Sequence, residues 1–340
     1  MLRITFAVAL SLVPSFSSDG AIGRSEKHRR PAHRAQRKTG VVIDAAAVSN
    51  PALAQVVGPG SSGSAVLRAQ ILLARAHFSC GEIDARYGAN LRGAIADFQT
   101  AHGLAGSGIV EEETWRILNA DTAPALFRAA IAPEEVAGPF TPVPEDMIEK
   151  AKLPALSYSS PLEAIAEKYH ASPALLQKLN PGSGFDRAGE EILAPNVLVP
   201  PPEKAASIVV SKSRHSVTAL DAEGRVLSRF PATSGSEHDP LPIGKWKILG
   251  VGRNPSFHYN PDLFWDAKGS DGKALIAPGP NNPVGVAWID LSKEHYGIHG
   301  TPEPSQIGKT QSHGCVRLTN WDVTELSNMV GPGTPAILEE

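Results

Sequence analysis

Cysteine is scarce in this sequence of 340 residues, which contains only Cys80 and Cys315. The two lie far apart in the sequence and in different predicted domains, so a disulfide between them would do little to stabilise either domain. We therefore expect one or both to be free. The paired-cysteine and His-Glu-x-x-His spacings of common zinc sites are absent. A free cysteine in a chain that begins like an exported protein requires a chemical explanation.

Net charge is also small. The formal value is −3, which excludes a chain-wide attraction to nucleic acid. Positive charge is concentrated between Arg24 and Lys38, where seven basic residues accompany one acid, Glu26. The basic run is typical of a solvated tether, and contact with anionic cell-wall polymers is the alternative.

No apolar run after the first residues is long enough to cross a bilayer, which takes ~20 residues. The N-terminus carries Arg3, the short apolar run Ile4 to Val13, and then small residues from Ser15 to Ser17. This pattern predicts a secretory signal within residues 1–20 and a location in the periplasm or cell envelope. The run contains no cysteine, which argues against a lipoprotein anchor. A buried element of a cytosolic domain is the alternative.

Changes in composition divide the remaining chain into a linker, two small modules and a larger C-terminal domain. Within the first module, Leu91, Ile95 and Phe98 share one helical face. The connectors between these parts predict modules that move independently. The predicted boundaries are 21–60 for the linker, 61–121 for a helical module, 122–155 for a connector, 156–203 for a second module and 206–340 for the C-terminal domain.

The helical module resembles the peptidoglycan-binding domain called PG-binding-1. Two residues depart from that pattern, Ala85 where a glycine is usual and Leu91 where a threonine is common, and an inert helical spacer is the alternative reading. The matching stretches are Gly63-Ser64, Val66, Gln70, Ile83-Asp84, Tyr87-Gly88, Ala94-Ile95, Phe98-Gln99, Gly103-Leu104, Gly108-Ile109 and Thr114-Trp115.

The second module has the start and stop signals of two short helices. Ser172 and Pro173 suit an N-cap and a first helical position, and Asn180-Pro181-Gly182 suits a stop. Residues 190–197 are predicted to form a short closing strand. The module resembles LysM, which binds the glycan of peptidoglycan, although it lacks the Gly-Asp-Thr style opening. Packing against the next domain is the alternative role.

The C-terminal domain is predicted to be mostly β, with one helix over 320–330. Its expected strands are 208–210, 217–220, 226–230, 246–251, 284–291, 298–300, 316–318 and 335–338.

One stretch of this domain combines a thiol with two imidazoles: His299-Gly300-Thr301 and Ser312-His313-Gly314-Cys315-Val316-Arg317. A free thiol has a pKa of ~8.5 and reacts as the thiolate, so it needs a base to take its proton. Glycines beside the reacting atoms let backbone N–H groups approach a developing oxyanion. If a strand follows Cys315, Arg317 lies on the same face. Spacing alone leaves either His299 or His313 as the base.

These motifs resemble the YkuD-type L,D-transpeptidase family, whose catalytic core is sandwich-like. The resemblance implies Cys315 as nucleophile and His299 as base, oriented by the Gly300 carbonyl. Ser312, His313 and Gly314 would shape the loop and oxyanion site, and Arg317 would support it. Further matching stretches are Pro240 to Gly244, Gly279 to Gly285 and Asn320 to Val323.

The resemblance also implies a reaction without a cofactor or metal. The thiolate attacks the third residue of a peptidoglycan stem tetrapeptide, usually diaminopimelate, and terminal D-alanine leaves. An amine of another stem or of an envelope lipoprotein then resolves the thioester; water as acceptor would make a carboxypeptidase.

Two other classes remain as alternatives. Cys315, His299, His313 and His295 could form a zinc site, since zinc prefers such ligands. The chain could also be a non-catalytic wall-binding protein in which the modules act and the C-terminal domain is a scaffold.

Overall fold

A computed structural model describes residues 41–264 and 272–340. The predicted export signal, residues 1–20, and the first half of the predicted linker lie outside the described residues. None of the described helices is long and apolar enough to cross a membrane.

The described helices are α1 (Ala45–Val48), α2 (Ser64–Arg75), α3 (Ala89–Ala101), α4 (Glu112–Leu118), α5 (Pro133–Val136), α6 (Met147–Lys150), α7 (Pro161–Lys168), α8 (Pro173–Leu179) and α9 (Asn320–Met329). The described strands are β1 (Leu126–Ala130), β2 (Glu191–Pro195), β3 (Ser207–Ser211), β4 (Ser216–Leu220), β5 (Val226–Pro231), β6 (Thr233–Ser234), β7 (Gly244–Arg253), β8 (Phe257–Tyr259), β9 (Ala274–Ile276), β10 (Ala287–Leu291), β11 (Gly297–His299), β12 (Val316–Arg317) and β13 (Pro335–Glu339). Short 3₁₀ turns lie at Pro261–Leu263 and Pro304–Gln306.

Residues 41–203, here called the N-terminal half, contain helices α1 to α8. The predicted helical face of α3 is buried through Leu91, Ile95 and Phe98, and it belongs to the same apolar cluster as Leu67 and Ile71 of α2. That cluster continues into α7 and α8, so the two predicted modules share one core. Burial of these side chains is the main stabilising term for helices this short.

The predicted connector 122–155 contains a strand that the sequence did not indicate. β1 pairs antiparallel with β2 in the register Leu126 opposite Pro195. An alanine-rich segment has weak strand propensity, and here its partner lies beyond α7 and α8, so local pattern could not reveal it. At α8, the Ser172 side chain accepts from the Leu175 N–H at 3.1 Å and Pro173 takes the first helical position, as the sequence predicts.

Residues 206–340, here called the C-terminal half, form a nine-stranded sheet in the order β5-β4-β3-β13-β7-β10-β11-β12-β6. α9 packs on β10 and β11. The expected mostly β architecture is confirmed, although β6, β8 and β9 were not predicted and residues 284–286 precede β10 instead of belonging to it. The core is built from β-branched and other apolar side chains that alternate along the strands, as in Ile208 and Val210 of β3.

The two halves meet through backbone and charged contacts. Ser79 N–H donates to the Arg229 carbonyl at 2.8 Å, and Arg229 N–H donates to the His77 carbonyl at 2.8 Å, so the segment that follows α2 pairs with β5. The Arg229 side chain is buried and lies 3.2 Å from Asp97 Oδ2 of α3. Residues from Val41 to Glu340 form one compact unit, and the expectation of independently moving modules is wrong.

Candidate active site

The nine-stranded sheet brings the two parts of the His/Cys motif together. β11 runs parallel to β12, with Ile298 opposite Val316 and His299 opposite Arg317. Cys315 immediately precedes β12, so continuing this register places it opposite Gly297. Side chains alternate along a strand, and His299 and Cys315 therefore lie on one face of the sheet in neighbouring chain segments.

His299 has a defined tautomer. Its buried ring places Nδ1 2.7 Å from the Gly300 carbonyl oxygen. A carbonyl only accepts, so Nδ1 carries the hydrogen and Nε2 carries the lone pair. The ring stacks on Trp288 of β10, with centroids 5.4 Å apart and planes inclined by 13°.

The environment of His299 keeps it neutral. Burial, reinforced by the charge of Arg317, lowers the pKa of His299 to about 4, and the hydrogen bond to Gly300 opposes this shift. A neutral imidazole with a free Nε2 is a proton acceptor at neutral pH. The geometry therefore presents a base and not a cation.

Cys315 is a free, partly exposed thiol. Sγ donates weakly to the His295 carbonyl oxygen at 3.7 Å. Burial raises the pKa of the Cys315 thiol, while the backbone hydrogen bond with Gly297 and the charge of Arg317 oppose the shift. The thiol and the imidazole are thus both uncharged at rest, and a thiolate would form only as a proton passes to a base.

Two hydrogen bonds of Ser312 hold the loop before Cys315 in place. The buried Ser312 hydroxyl donates to the Cys315 carbonyl at 2.6 Å, and Ser312 N–H donates to the Gly235 carbonyl at 3.3 Å. Gly314 has φ +99°, and a Cβ there would lie 2.8 Å from the Tyr296 ring. Gly314 is therefore required both by the left-handed backbone and by the close ring.

The structure separates the two candidate bases. His313 packs edge-on against Phe264, with centroids 5.0 Å apart. Only His299 lies on a strand beside the segment that carries Cys315. Arg317 is the register partner of His299, and its charge lowers the pKa values of both His299 and Cys315.

Three contributors to this site were not predicted as such. Trp288 stacks on His299, Asn320 at the start of α9 packs against Gly300, and Glu167 from α7 holds Asn320. Asn320 lies in a motif noted in the sequence, but nothing local assigns its side chain a task. Trp288 and Glu167 carry no signal of their own, because their partners come from other parts of the chain.

Among residues 41–264 and 272–340, no group of three or more His, Cys, Asp and Glu side chains is arranged to hold a metal ion. The four ligands of the alternative zinc site, Cys315, His299, His313 and His295, therefore do not form such a group within these described ranges.

Comparison with known proteins agrees with this geometry. The chain is 34% identical over 175 residues to the putative L,D-transpeptidase YkuD of Bacillus subtilis, covering 51% of this chain and 90% of the relative. The chain belongs to the L,D-transpeptidase family. Residues 205–338 match the family described as the L,D-transpeptidase catalytic domain, and residues 62–118 match a putative peptidoglycan binding domain.

Other L,D-transpeptidases are more distant. The chain is 27% identical over 183 residues to the probable L,D-transpeptidase ErfK/SrfK of Escherichia coli, covering 52% of this chain and 58% of the relative. A crystal structure of the L,D-transpeptidase of Xylanimonas cellulosilytica aligns over 84% of this chain and 97% of its own, with 17% identity and a TM-score of 0.36. The assignment to the family rests on the closer Bacillus sequence, and it makes this protein an L,D-transpeptidase enzyme.

Proposed function

We propose that this L,D-transpeptidase transfers an acyl group from a peptidoglycan stem tetrapeptide through a thioester on Cys315. The observation that carries the proposal is the hydrogen bond from His299 Nδ1 to the Gly300 carbonyl at 2.7 Å. It leaves Nε2 as the acceptor, on the face of the sheet that also carries the thiol.

The first half-reaction releases terminal D-alanine. His299 Nε2 takes the Cys315 proton as Sγ attacks the carbonyl carbon of the third stem residue, and a tetrahedral oxyanion forms. The C–N bond to D-alanine then breaks, and the imidazolium gives its proton to the departing amine. The product is a thioester, free D-alanine and neutral His299.

The second half-reaction regenerates the thiol. An amine of another stem, or of an envelope protein such as a lipoprotein, loses a proton to His299 and attacks the thioester carbonyl. The C–S bond breaks and the proton returns to sulfur. Water in place of the amine would give a carboxypeptidase by the same path, and the product distinguishes the two acceptors.

The remaining motif residues take supporting roles in this proposal. Ser312 and Gly314 hold the loop in a shape that directs backbone N–H groups at the oxyanion, as donors in such sites must be preorganised. Arg317 stabilises the developing thiolate through its charge. His313 lines the loop on the side of Phe264.

The site of action follows from the substrate. Peptidoglycan lies outside the cytoplasm, so the protein would work in the periplasm or cell envelope, in keeping with the predicted export signal. The match to a peptidoglycan binding domain at residues 62–118 supports anchoring to the wall through the N-terminal half. The cleaved peptide bond supplies the acyl donor, so the proposed reaction needs no cofactor.

Intact-mass spectrometry tests the proposal directly. The mature protein would be incubated with a disaccharide tetrapeptide, and in parallel with a carbapenem that can acylate the thiol. We expect a covalent adduct on Cys315 and release of D-alanine, both absent in Cys315→Ala.

Cross-linked stems among the products would establish transpeptidation, whereas tripeptides alone would identify the carboxypeptidase. A folded, reduced wild-type protein that forms no adduct and releases no D-alanine would overturn the proposal. Wall binding retained in that case would favour the non-catalytic alternative.

A further inference from the structure

Asn320 is the point at which the two halves meet beside the proposed base. Its buried side chain lies at the first turn of α9, where Oδ1 accepts from the Val286 N–H at 3.2 Å. Nδ2 donates to the Pro280 carbonyl at 3.0 Å and to both carboxylate oxygens of Glu167, at 3.2 and 3.1 Å. Because a carboxylate and a carbonyl only accept, these partners fix which end of the amide faces which neighbour.

The oxygen end of that amide packs against the backbone that orients His299. A methyl group added at Gly300 or at Gly285 would collide with Asn320 Oδ1. The peptide that follows His299 is therefore confined by the Asn320 side chain on one side. The Gly300 carbonyl in turn accepts the Nδ1 hydrogen of His299 at 2.7 Å.

Glu167 reaches this position from the N-terminal half and is itself held in place. It lies in the last turn of α7, and the Tyr158 hydroxyl donates to its Oε1 at 2.8 Å. Burial raises the pKa of Glu167 to about 7, while the hydrogen bonds from Tyr158 and Asn320 favour the carboxylate. The Tyr158 hydroxyl and the Asn320 amide both donate to this partly buried carboxyl group, so Glu167 does more than fill space.

We propose that Glu167 is a positioning residue for the proposed base His299, acting through Asn320 and the Gly300 backbone. The inference rests on the proposed function, because it assigns to the N-terminal half a part in the chemistry of the C-terminal half. Removing the Glu167 carboxylate would let the Asn320 amide rotate and the Gly300 carbonyl shift. The hydrogen bond from His299 Nδ1 to that carbonyl, which fixes the His299 tautomer, would then weaken.

The same helix supplies a matched control. Glu163 lies one turn earlier in α7 and also binds an asparagine of the C-terminal half, since Asn281 Nδ2 donates to its Oε1 at 2.8 Å. The three atoms nearest to a methyl group added at Gly300 belong to Asn320, Val323 and Gly285, and none belongs to Asn281. A substitution at Glu163 therefore removes a contact between the halves and leaves the hydrogen bonds of Glu167 with Tyr158 and Asn320 in place. Loss of the Glu163 charge removes one cause that raises the pKa of Glu167, which favours the carboxylate that accepts from Asn320.

The test compares Glu167→Met, Glu167→Gln and Glu163→Met in the full mature protein. Three quantities would be measured: kcat and KM for D-alanine release from the disaccharide tetrapeptide, the rate of carbapenem acylation, and the ¹⁵N NMR signals of His299, which report its tautomer. A misplaced catalytic group lowers the rate steeply, so we expect Glu167→Met to reduce kcat by about tenfold or more. We expect KM to change by less than about twofold, because substrate binding does not use this path.

Rescue separates positioning from general stability. Glu167→Gln keeps an acceptor oxygen for Asn320 and should retain kcat within about threefold of wild type, since one neutral hydrogen bond replaces a charged one. Glu163→Met should keep both kcat and the His299 tautomer. If Glu167→Met does not fold, Asn320→Asp removes the donor at the other end of the same hydrogen bond and is expected to give the same loss.

Two outcomes would overturn the inference: an unchanged kcat and tautomer in folded Glu167→Met, or equal losses in Glu167→Met and Glu163→Met. Failure of the proposed function is distinguishable, because wild type itself would then release no D-alanine. The NMR comparison would still report whether Glu167 holds the His299 tautomer.

Discussion

The interiors of the two halves differ in chemistry from the boundary between them. Inside the N-terminal half, Leu67 and Ile95 pack in an apolar cluster, and inside the C-terminal half Ile208 and Ile289 do the same. The boundary instead joins Asp97 to Arg229, Ser79 to Asp322 and Glu167 to Asn320. Apolar packing accepts many arrangements of similar volume, whereas hydrogen-bonded pairs require one.

That difference explains how the region that matches a putative peptidoglycan binding domain and the Cys315 thiol can be held as one body. The polar contacts fix the N-terminal half at a single position on the sheet. Stacking of His170 on Trp321, with centroids 5.1 Å apart and planes inclined by 9°, adds an apolar element to the same boundary. Any glycan held by the N-terminal half would thus lie at a fixed distance from Cys315.

The two cysteines give the sharpest contrast between the halves, and the largest expected effect. Burial raises the pKa of both thiols, but Cys80 is enclosed in the N-terminal core whereas Cys315 lies beside His299. Removing a nucleophile typically lowers kcat by about 10³-fold or more. We expect this loss of D-alanine release in Cys315→Ala, with activity retained in Cys80→Ala. A carbapenem adduct on Cys80 would contradict the assignment.

The two histidines of the motif should differ nearly as much. Loss of a general base lowers the rate by about 10²- to 10⁴-fold, which we expect of kcat for His299→Ala, and a much smaller loss is expected for His313→Ala. A base must be unprotonated, and the pKa of His299 is lowered to about 4. The acid limb of kcat/KM should therefore fall near pH 4 and not near 6.5. A larger loss of kcat in His313→Ala than in His299→Ala would reverse the assignment.

The sequence allowed the C-terminal fold to be predicted more fully than the boundary. Alternation of β-branched residues identified β3, β4 and β5, and the spacing of Val323 and Leu326 identified α9. These signals are local, because each strand or helix buries one face whatever its partner.

Long-range polar pairs leave no such signal. Asp97, Arg229 and Glu167 are residue types that normally lie in solvent. Asp97 and Arg229 are buried and Glu167 is half-buried, each against a partner that arrives from the other half. The same holds within the site: the motif located His299 and Cys315, but the stacking of Trp288 depends on the register of β10 and β11.

Removing one carboxylate at the boundary tests whether its charged pairs hold the halves together. Asp97 pairs with both Arg229 and the more exposed Arg214. Asp97→Ala leaves the buried Arg229 guanidinium without this carboxylate, and such a loss typically lowers the free energy of unfolding by about 3 kcal/mol. Urea unfolding measures this value. The matched control is Lys212→Ala, which breaks an exposed ion pair with Glu340 and should change stability by less than about 0.5 kcal/mol. Equal effects would mean that the boundary pair is no stronger than a surface pair.

The smallest expected effect is a pH dependence that arises at the boundary. Burial raises the pKa of Asp322 to about 7, and its neutral form is the one that folding favours. A carboxyl group whose pKa is higher in the folded than in the unfolded state stabilises the folded protein at low pH. That contribution to the free energy of unfolding is lost as the pH rises toward the folded-state pKa, here about 7. Asp322→Asn keeps the shape and an acceptor for the Ser79 hydroxyl but cannot ionise.

Between pH 5 and pH 8 we therefore expect Asp322→Asn to gain about 2 to 3 kcal/mol of stability relative to wild type, because two pH units below the folded pKa each contribute about 1.36 kcal/mol. Urea midpoints at the two pH values measure the difference. Glu167, whose pKa is also raised to about 7, titrates in both proteins and cancels from the comparison. Parallel stability curves for the two proteins would show that Asp322 is already ionised in the folded state. The boundary would then be held by charge on Asp322 and not by a neutral hydrogen bond.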